Sequence, residues 1–252
     1  MHELCCFFSE FVRTRLRPQL NEMKAFLLAA GNGTRLRPLT DKLPKCLVPI
    51  RGKPLLEIWL ELLESHGVRE ILINLHAHAD VVRQFLSGRF PRLGIRLEEE
   101  PQLFGSAGTL AAHREWLSDD SDFWILYADV LTNVDLGQMS RFHKTHASAA
   151  TLGVYNVSDP RRCGIAVVDD AERVLRFLEK PKDPPGNLAF AGVMIGTRAL
   201  LEAIPSARPA DIGFDVLPRL AGDMFAYRIQ EFLLDIGTVS NYEHAQSVWP
   251  GL

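Results

Sequence analysis

Between residues 24 and 146, short apolar runs alternate with segments of helical spacing, and that alternation leaves few folds open. Residues 24–30 read as a buried strand. PLLEIWLELLESHG (54–67) sets Leu55, Ile58, Trp59, Leu62 and Leu63 on one helical face and ends on a glycine. REILINL (69–75) predicts a second strand, 79–87 a helix, and GIRLEEE (94–100) a third strand. SAGTLAAHREWL (106–117) predicts a helix that starts just after Gly105. DFWILYADV (122–130) is almost wholly apolar, as befits a strand covered on both faces, and it delivers Asp129 near its end. Residues 135–146 again have helical character, with Asp135 placed to cap the helix. The expected fold class is α/β, a Rossmann-like doubly wound sheet, mixed but mostly parallel, in a three-layer arrangement.

The second half changes character. AATLGVYNV, GIAVVDDAERVLRFLEKP and LAFAGVMIG are strand-like pieces divided by turn chemistry such as DPRRCG and KDPPGN. GFDVLPRL and SNYEHAQSVW read as helical. No repeat, low-complexity block or linker separates the halves, so one domain is expected over residues 23–252, with lobes of about 23–135 and 136–240 and a cleft between them. In residues 1–22 the basic side chains follow the apolar part, the reverse of a secretory signal, and a loosely ordered leader ahead of Met23 is expected. Past residue 240 one helix is expected, with no C-terminal acyltransferase or β-helix segment.

Composition narrows the partners. A net charge of −3 over 252 residues advertises neither nucleic acid nor an anionic membrane. No apolar run reaches the roughly 20 residues a membrane helix needs. The four cysteines, Cys5, Cys6, Cys46 and Cys163, form no CxxC pair, which fits a reducing, cytoplasmic setting. The tightest histidine pair, in HAH at 76–78, has no cysteine or third histidine nearby and reads as a helix entry or surface feature.

Chemistry concentrates after the first strand, in FLLAAGNGTRLRPLTDKLPKCLVPI (26–50). Gly31 and Gly33 allow left-handed backbone and close approach to a ligand. A turn of this kind leaving a strand aims N–H groups at phosphate oxygens. Leu36 stands where a dinucleotide fingerprint needs its third glycine, and no Gly-Lys-Ser/Thr follows, so neither named phosphate loop is present. Arg35 offers a planar fork for a pyrophosphate and Lys45 a mobile point charge. A nucleoside triphosphate held by its phosphates suits this set. Asp129 and Asp235 each lie at the end of an apolar run, where α/β folds bind ligands, and one or two carboxylates suffice for Mg²⁺ when phosphates and water complete its shell.

LAAGNGTRLRPLTDKLPKCLVPIRGKPLLE resembles the signature of sugar-1-phosphate nucleotidyltransferases, the nucleotide-sugar pyrophosphorylases, and further motifs follow in the family's order along about residues 23–246. The resemblance implies the family's fold and its reaction. A sugar 1-phosphate attacks the α-phosphorus of a nucleoside triphosphate, and pyrophosphate leaves. It also implies that Leu28, Ala30, Gly31, Gly33 and Thr34 surround the nucleotide. Arg35 would neutralise the β,γ-phosphates, Lys45 would reach the reacting phosphate, and Asp129 with Asp235 would hold Mg²⁺. Ala128 replaces the glycine usual before the first aspartate. EEEPQLFGSAG resembles the base-reading segment, with Ser106 for the usual threonine. Gly105 would admit the base and Glu100 would read its edge, while Glu98 and Glu99 remain solvated.

RVLRFLEKP resembles the family's Glu-Lys-Pro segment, which implies that Glu179 would hold sugar hydroxyls and Lys180 the sugar phosphate, and Gly164 and Gly192 match glycines whose backbone faces the sugar in that family. Phe190 replaces an asparagine, Cys46 stands where proline often follows the lysine, and Cys163 where an aromatic often precedes the glycine. A carboxylate at 100 accepts hydrogen bonds only, and guanine alone offers two adjacent donors. That favours GTP, and the preferred pairing is with mannose 1-phosphate or a manno-heptose 1-phosphate. Transfer from UTP or dTTP to glucose 1-phosphate or N-acetylmuramate 1-phosphate is the alternative. The Ala-Ala-Gly opening also resembles cytidylyltransferases acting on alcohol phosphates, but the Glu-Lys-Pro and Asp-Ile-Gly-Thr segments favour a sugar. A non-catalytic nucleotide-sugar sensor would be expected to lack Asp129, Asp235, Arg35 or Lys45, and all four are present. The sequence leaves a homo-oligomer open.

Overall fold

Residues 23–117 and 122–252 are described by a computed structural model, and the expected leader, residues 1–22, lies outside them. Strand β1 (Ala25–Leu28) runs into a loop of three 3-10 turns, Thr34–Leu36, Leu39–Asp41 and Lys45–Leu47. A short hairpin follows, β2 (Pro49–Ile50) and β3 (Lys53–Pro54), and then helix α1 (Leu55–Ser65). The alternation continues through β4 (Glu70–Leu75), α2 (Ala79–Leu86), β5 (Gly94–Glu99), α3 (Ser106–Ala112), β6 (Phe123–Tyr127), β7 (Val130–Thr132) and α4 (Leu136–Lys144). Then come β8 (Ala150–Asn156), β9 (Gly164–Val168), β10 (Val174–Glu179), β11 (Leu188–Gly196), α5 (Arg198–Glu202), β12 (Met224–Arg228), β13 (Leu233–Asp235) and α6 (Val239–Val248).

One sheet of nine strands threads both halves, in the order β10-β9-β11-β6-β1-β4-β5, with β8 on β11 and β12 on β8. Only β10 and β11 run against the other strands, so the expected mixed, mostly parallel sheet is present. Successive residues of β1 face opposite ways: Ala25 and Leu27 pack into one core, Phe26 into the other. The first core takes α1, α2 and α4, the second α3 and α5, which gives the three layers. In α1, Leu55, Leu56, Leu60 and Leu63 are fully buried, each contributing roughly 1.5–3 kcal/mol.

Two expectations are corrected, and two that hold are made more specific. The run 122–130 is not one strand: β6 ends at Tyr127, the chain turns at Ala128 and Asp129, and β7 pairs with β13 in a separate two-stranded sheet. The helix expected over 106–117 stops at Ala112, because His113 leaves helical geometry before a 3-10 turn. GIAVVDDAERVLRFLEKP is an antiparallel hairpin of β9 and β10, turned at Asp169, whose carboxylate accepts from the N–H groups of Ala171 and Arg173. GFDVLPRL is helical but not α: a π-turn over Ile212–Val216 meets a 3-10 turn over Leu217–Leu220. Pro218 supplies no N–H to extend an α-helix there. Two local readings hold. Asp135 caps α4 by accepting from the Gln138 N–H, and His78 enters α2 in left-handed geometry, φ 56°.

Candidate active site

β1, β4, β5 and β6 lie parallel and present their C-terminal ends at one edge of the sheet. From β1 comes the glycine loop. It is anchored by Leu36, fully buried, and by Thr40, whose hydroxyl donates to the Gly33 carbonyl at 2.7 Å. Gly33 is left-handed, φ 63°, and a Cβ there would meet Thr40 Cγ2 at 3.0 Å, so glycine is required. Gly31 has open space in place of a side chain. Beside the loop is a cavity of about 270 Å³, lined in part by Leu28, Ala30, Gly31, Lys45, Glu100, Gly105 and Asp129. Thr34 is exposed and opens the first 3-10 turn.

Asp129 is held in place from three directions. The indole N–H of Trp59 on α1 donates to the carbonyl of the next residue, Val130, at 2.8 Å. The Asp129 carbonyl accepts from the Ile236 N–H at 2.9 Å. Its carboxylate Oδ2 pairs with Lys45 Nζ at 2.5 Å, with the lysine side chain only 10% exposed. Because β13 pairs with β7 with Asp235 opposite Val130, two carboxylates a hundred residues apart in sequence meet at this edge. Arg35 completes the group: a Cβ on Gly237 would lie 2.5 Å from Asp235 Oδ1 and 3.1 Å from Arg35 Nη2.

The nucleotidyl transferase family profile matches residues 24–249. The chain belongs to that family. It is 36% identical over 228 residues to the mannose-1-phosphate guanylyltransferase catalytic subunit beta of Xenopus tropicalis, covering 87% of this chain and 62% of that protein. It is 35% identical over 227 residues to mannose-1-phosphate guanylyltransferase 1 of Arabidopsis thaliana, covering 87% of this chain and 63% of that one. The chain thus spans less than two thirds of the length of these curated relatives. In fold it is similar to the crystal structure of UDP-glucose pyrophosphorylase complexed with UDP-glucose, with a TM-score of 0.78, 20% identity, and coverage of 89% of this chain and 97% of that chain. At that identity the likeness is one of fold. Among the described residues no helix is long and apolar enough to cross a membrane.

The electrostatics of this nucleotidyl transferase centre on the two aspartates. The Asp235 carboxyl is raised above the ordinary carboxylate range by burial and then by the charge of Asp129, against the opposing pull of Lys45, the Gly237 N–H and Arg35. As a residue Asp235 is exposed, yet its carboxyl is crowded by Gly237 and Arg35. The open side weakens the burial effect; the repulsion from Asp129 remains and keeps the direction upward. Two hard oxygen donors that repel one another suit a divalent cation, and a pair is enough where phosphates and water complete the shell. A raised folded-state pKa means that the folded chain binds this proton more tightly than the unfolded chain, so the stability it lends is lost as pH rises through it. Asp235→Asn is therefore expected to raise the Tm of metal-free protein at pH 7–8. Thermal melts at a series of pH values check this, the gain shrinking as pH falls below the raised pKa.

Glu100 is 1% exposed, and its carboxylate is already engaged. Asn74 Nδ2 donates to Oε1 at 2.9 Å and Thr109 Oγ1 to the same atom at 2.5 Å, while the Phe104 N–H donates to Oε2 at 2.9 Å. One lone pair on Oε2 is left for the cavity, so this carboxylate alone does not meet both donors of a guanine edge. That narrows the expected base-reading role of Glu100 to a single remaining acceptor position. Asn74, the polar residue in ILINL, went unremarked in the sequence, although a buried amide in an apolar strand is a signal. Its Oδ1 accepts from the Ala29 N–H at 2.7 Å and so ties the glycine loop to Glu100. Glu100→Gln turns one accepting oxygen into a donor among three donors. It is expected to cost about 1–3 kcal/mol in urea unfolding.

Among the residues expected to meet the sugar, Glu179 ends β10 and pairs with Lys180 at 3.0 Å, and Lys180 is left-handed at φ 47° with its Nζ 5.3 Å from the Phe214 ring centre. A Cβ on Gly164 would lie 2.6 Å from Glu179 Oε2, so that glycine gives the carboxylate its room. Gly192, φ 71°, sits at a register shift in β11 against Tyr127. Phe190 is half-buried and packs edge-on against Tyr127, 5.8 Å between ring centres. The Cys163 thiol is pushed up by burial and then by the charges of Asp235 and Glu179. Burial pushes the Cys46 thiol up to about 12, leaving it an inert core residue at neutral pH. Tyr127, Ser106 and Asp211 also meet at this site; the first and last carry no motif.

Proposed function

We propose that the chain transfers a guanylyl group from GTP to mannose 1-phosphate, giving GDP-mannose and pyrophosphate. The observation that carries the reaction type is the meeting of Lys45, Asp129, Asp235 and Arg35 beside the glycine loop and its cavity. The names of the relatives at 35–36% identity support guanine and mannose. We read residues 23–252 as one catalytic unit, working in the cytoplasm, with its substrates in the cleft between the two lobes.

In this reading the triphosphate lies along Gly31, Gly33 and Thr34, with Leu28 and Ala30 beside the nucleoside. Glu100 uses its remaining lone pair on a ring N–H of the base, and Gly105 leaves room for the base plane. Arg35 neutralises the β,γ-phosphates. Glu179 accepts from sugar hydroxyls, Lys180 pairs with the sugar phosphate, and Gly164 and Gly192 let the sugar approach the backbone. An oxygen of the sugar phosphate attacks the α-phosphorus, the bond to the β-phosphate oxygen breaks, and pyrophosphate carries away the charge that Arg35 offsets. Lys45, desolvated and held by Asp129, offers its charge where the α-phosphoryl group changes partners. Such chemistry asks mainly for alignment and charge neutralisation. Asp129 and Asp235 would hold Mg²⁺, which when bound supplies further neutralisation of phosphate oxygens.

The test is pyrophosphate release with Mg²⁺ across GTP, UTP, dTTP, CTP and ATP, each crossed with a panel of sugar 1-phosphates. GTP with mannose 1-phosphate is expected to exceed every other pair by at least tenfold. Preference for UTP or dTTP would discard the base and keep the reaction. Nucleotide binding without release in any pair would contradict the reaction itself.

A further inference from the structure

The segment 210–216 carries no motif, yet it joins the nucleotide cavity to the sugar-side glutamate through unbroken contacts. It begins at Glu100, whose Oε2 accepts from the Phe104 N–H; the Phe104 carbonyl accepts from the Ala210 N–H at 2.9 Å. The Ala210 carbonyl in turn accepts from the N–H groups of Ala107 and Gly108 on α3, at 3.0 and 3.1 Å. The next residue, Asp211, accepts from the Ser106 hydroxyl at Oδ2, 3.0 Å, and from the N–H groups of Gly213 and Phe214 at Oδ1, 2.8 and 3.2 Å. Ser106 Oγ accepts from the Ile212 N–H at 2.8 Å, so one hydroxyl both donates to and receives from this turn. The π-turn then ends against the sugar side: a Cβ on Gly213 would overlap Glu179 Oε2. Tyr127 closes the cluster, within reach of the charges of Asp211 and Glu179.

We propose that Ser106 and Asp211 are positioning residues that set Glu179 against the sugar hydroxyls from the nucleotide side. The assignment rests on the reading of Glu179 as a sugar ligand. Ser106 is the pivot because α3 starts beside the nucleotide cavity while Ile212, fully buried, has its N–H satisfied by that hydroxyl. Without the hydroxyl, the Ile212 N–H and Asp211 Oδ2 lose their partners together, and the turn under Glu179 must find a new position. A threonine keeps the hydroxyl.

Ser106→Ala, Asp211→Asn and Ser106→Thr are compared with wild type by steady-state kinetics, using the pair that wild type turns over best. Ser106→Ala is expected to raise KM for the sugar 1-phosphate about tenfold while KM for the nucleotide moves less than about threefold. Ser106→Thr is expected to restore the sugar KM to within about threefold of wild type. Asp211→Asn gives the same readout if Ser106→Ala does not fold. A sugar KM unchanged in both variants, or both KM values rising alike, overturns the proposal. If wild type releases no pyrophosphate, the guanylyl reading fails on its own. Calorimetric titration of mannose 1-phosphate then reads the pair without turnover: tenfold weaker binding in Ser106→Ala supports it, equal binding overturns it, and no binding to wild type overturns both readings.

Discussion

Asp129→Asn is expected to lower turnover by at least about 10³-fold while leaving most of the fold in place. The side chain keeps its size, and the backbone carbonyl that accepts from Ile236 is untouched. What goes is one of the two charges that face each other across β7 and β13. Lys45 keeps an oxygen to donate to, so its cation is not stranded in the core. A loss of 10³ in rate corresponds to about 4 kcal/mol of the barrier, reasonable for removing a charge that acts on a phosphoryl group in a partly desolvated site. Single-turnover kinetics and a thermal melt on the same preparation check both halves. Turnover within tenfold of wild type would remove Asp129 from the reaction.

Gly105→Ala carries the largest expected effect on stability. Gly105 has φ 79° and ψ 160°, a region essentially closed to residues with a Cβ. A methyl group there would overlap the Ala210 carbonyl oxygen, which cannot withdraw because it accepts from both Ala107 and Gly108, while the Ala210 N–H is held by Phe104. Backbone strain and overlap together are expected to cost about 3 kcal/mol, which lowers Tm by roughly 6–12 °C in a chain of this size. Gly31→Ala is the control. Its Cβ would meet nothing within 4 Å, so Tm is expected to stay within about 2 °C while nucleotide binding weakens. Differential scanning calorimetry of the two variants separates a glycine needed for packing from one that lines the cavity.

What could be read from the chain and what could not divide along a physical line. Helical spacing in 54–67 and the apolar runs from 24 to 130 are local signals, and the parallel half of the sheet follows from them. The glycine loop is also local, since the left-handed turn at Gly33 and the buried plug Leu36 are within three residues of each other. Asp129 and Asp235 could be picked out one by one, but their meeting depends on β13 pairing with β7 across a hundred residues, which no short pattern encodes. The same holds for Glu100: its three donors come from β4, α3 and the intervening loop, so the share of its carboxylate left for a ligand is a tertiary fact. Segment 210–216 was only partly legible: its helical character could be read in GFDVLPRL, its type could not. Its helix is of the π type, held by Asp211 at the start and Asp215 folding back to the Asp211 N–H, and that geometry has no periodic signature.

The reaction itself is tested most directly by following the α-phosphate. GTP labelled at that position, incubated with mannose 1-phosphate and Mg²⁺, is expected to place the label in GDP-mannose, with none in the pyrophosphate released alongside it. Label recovered as GMP, or label left in GTP that remains bound, would contradict nucleotidyl transfer by Lys45, Asp129, Asp235 and Arg35.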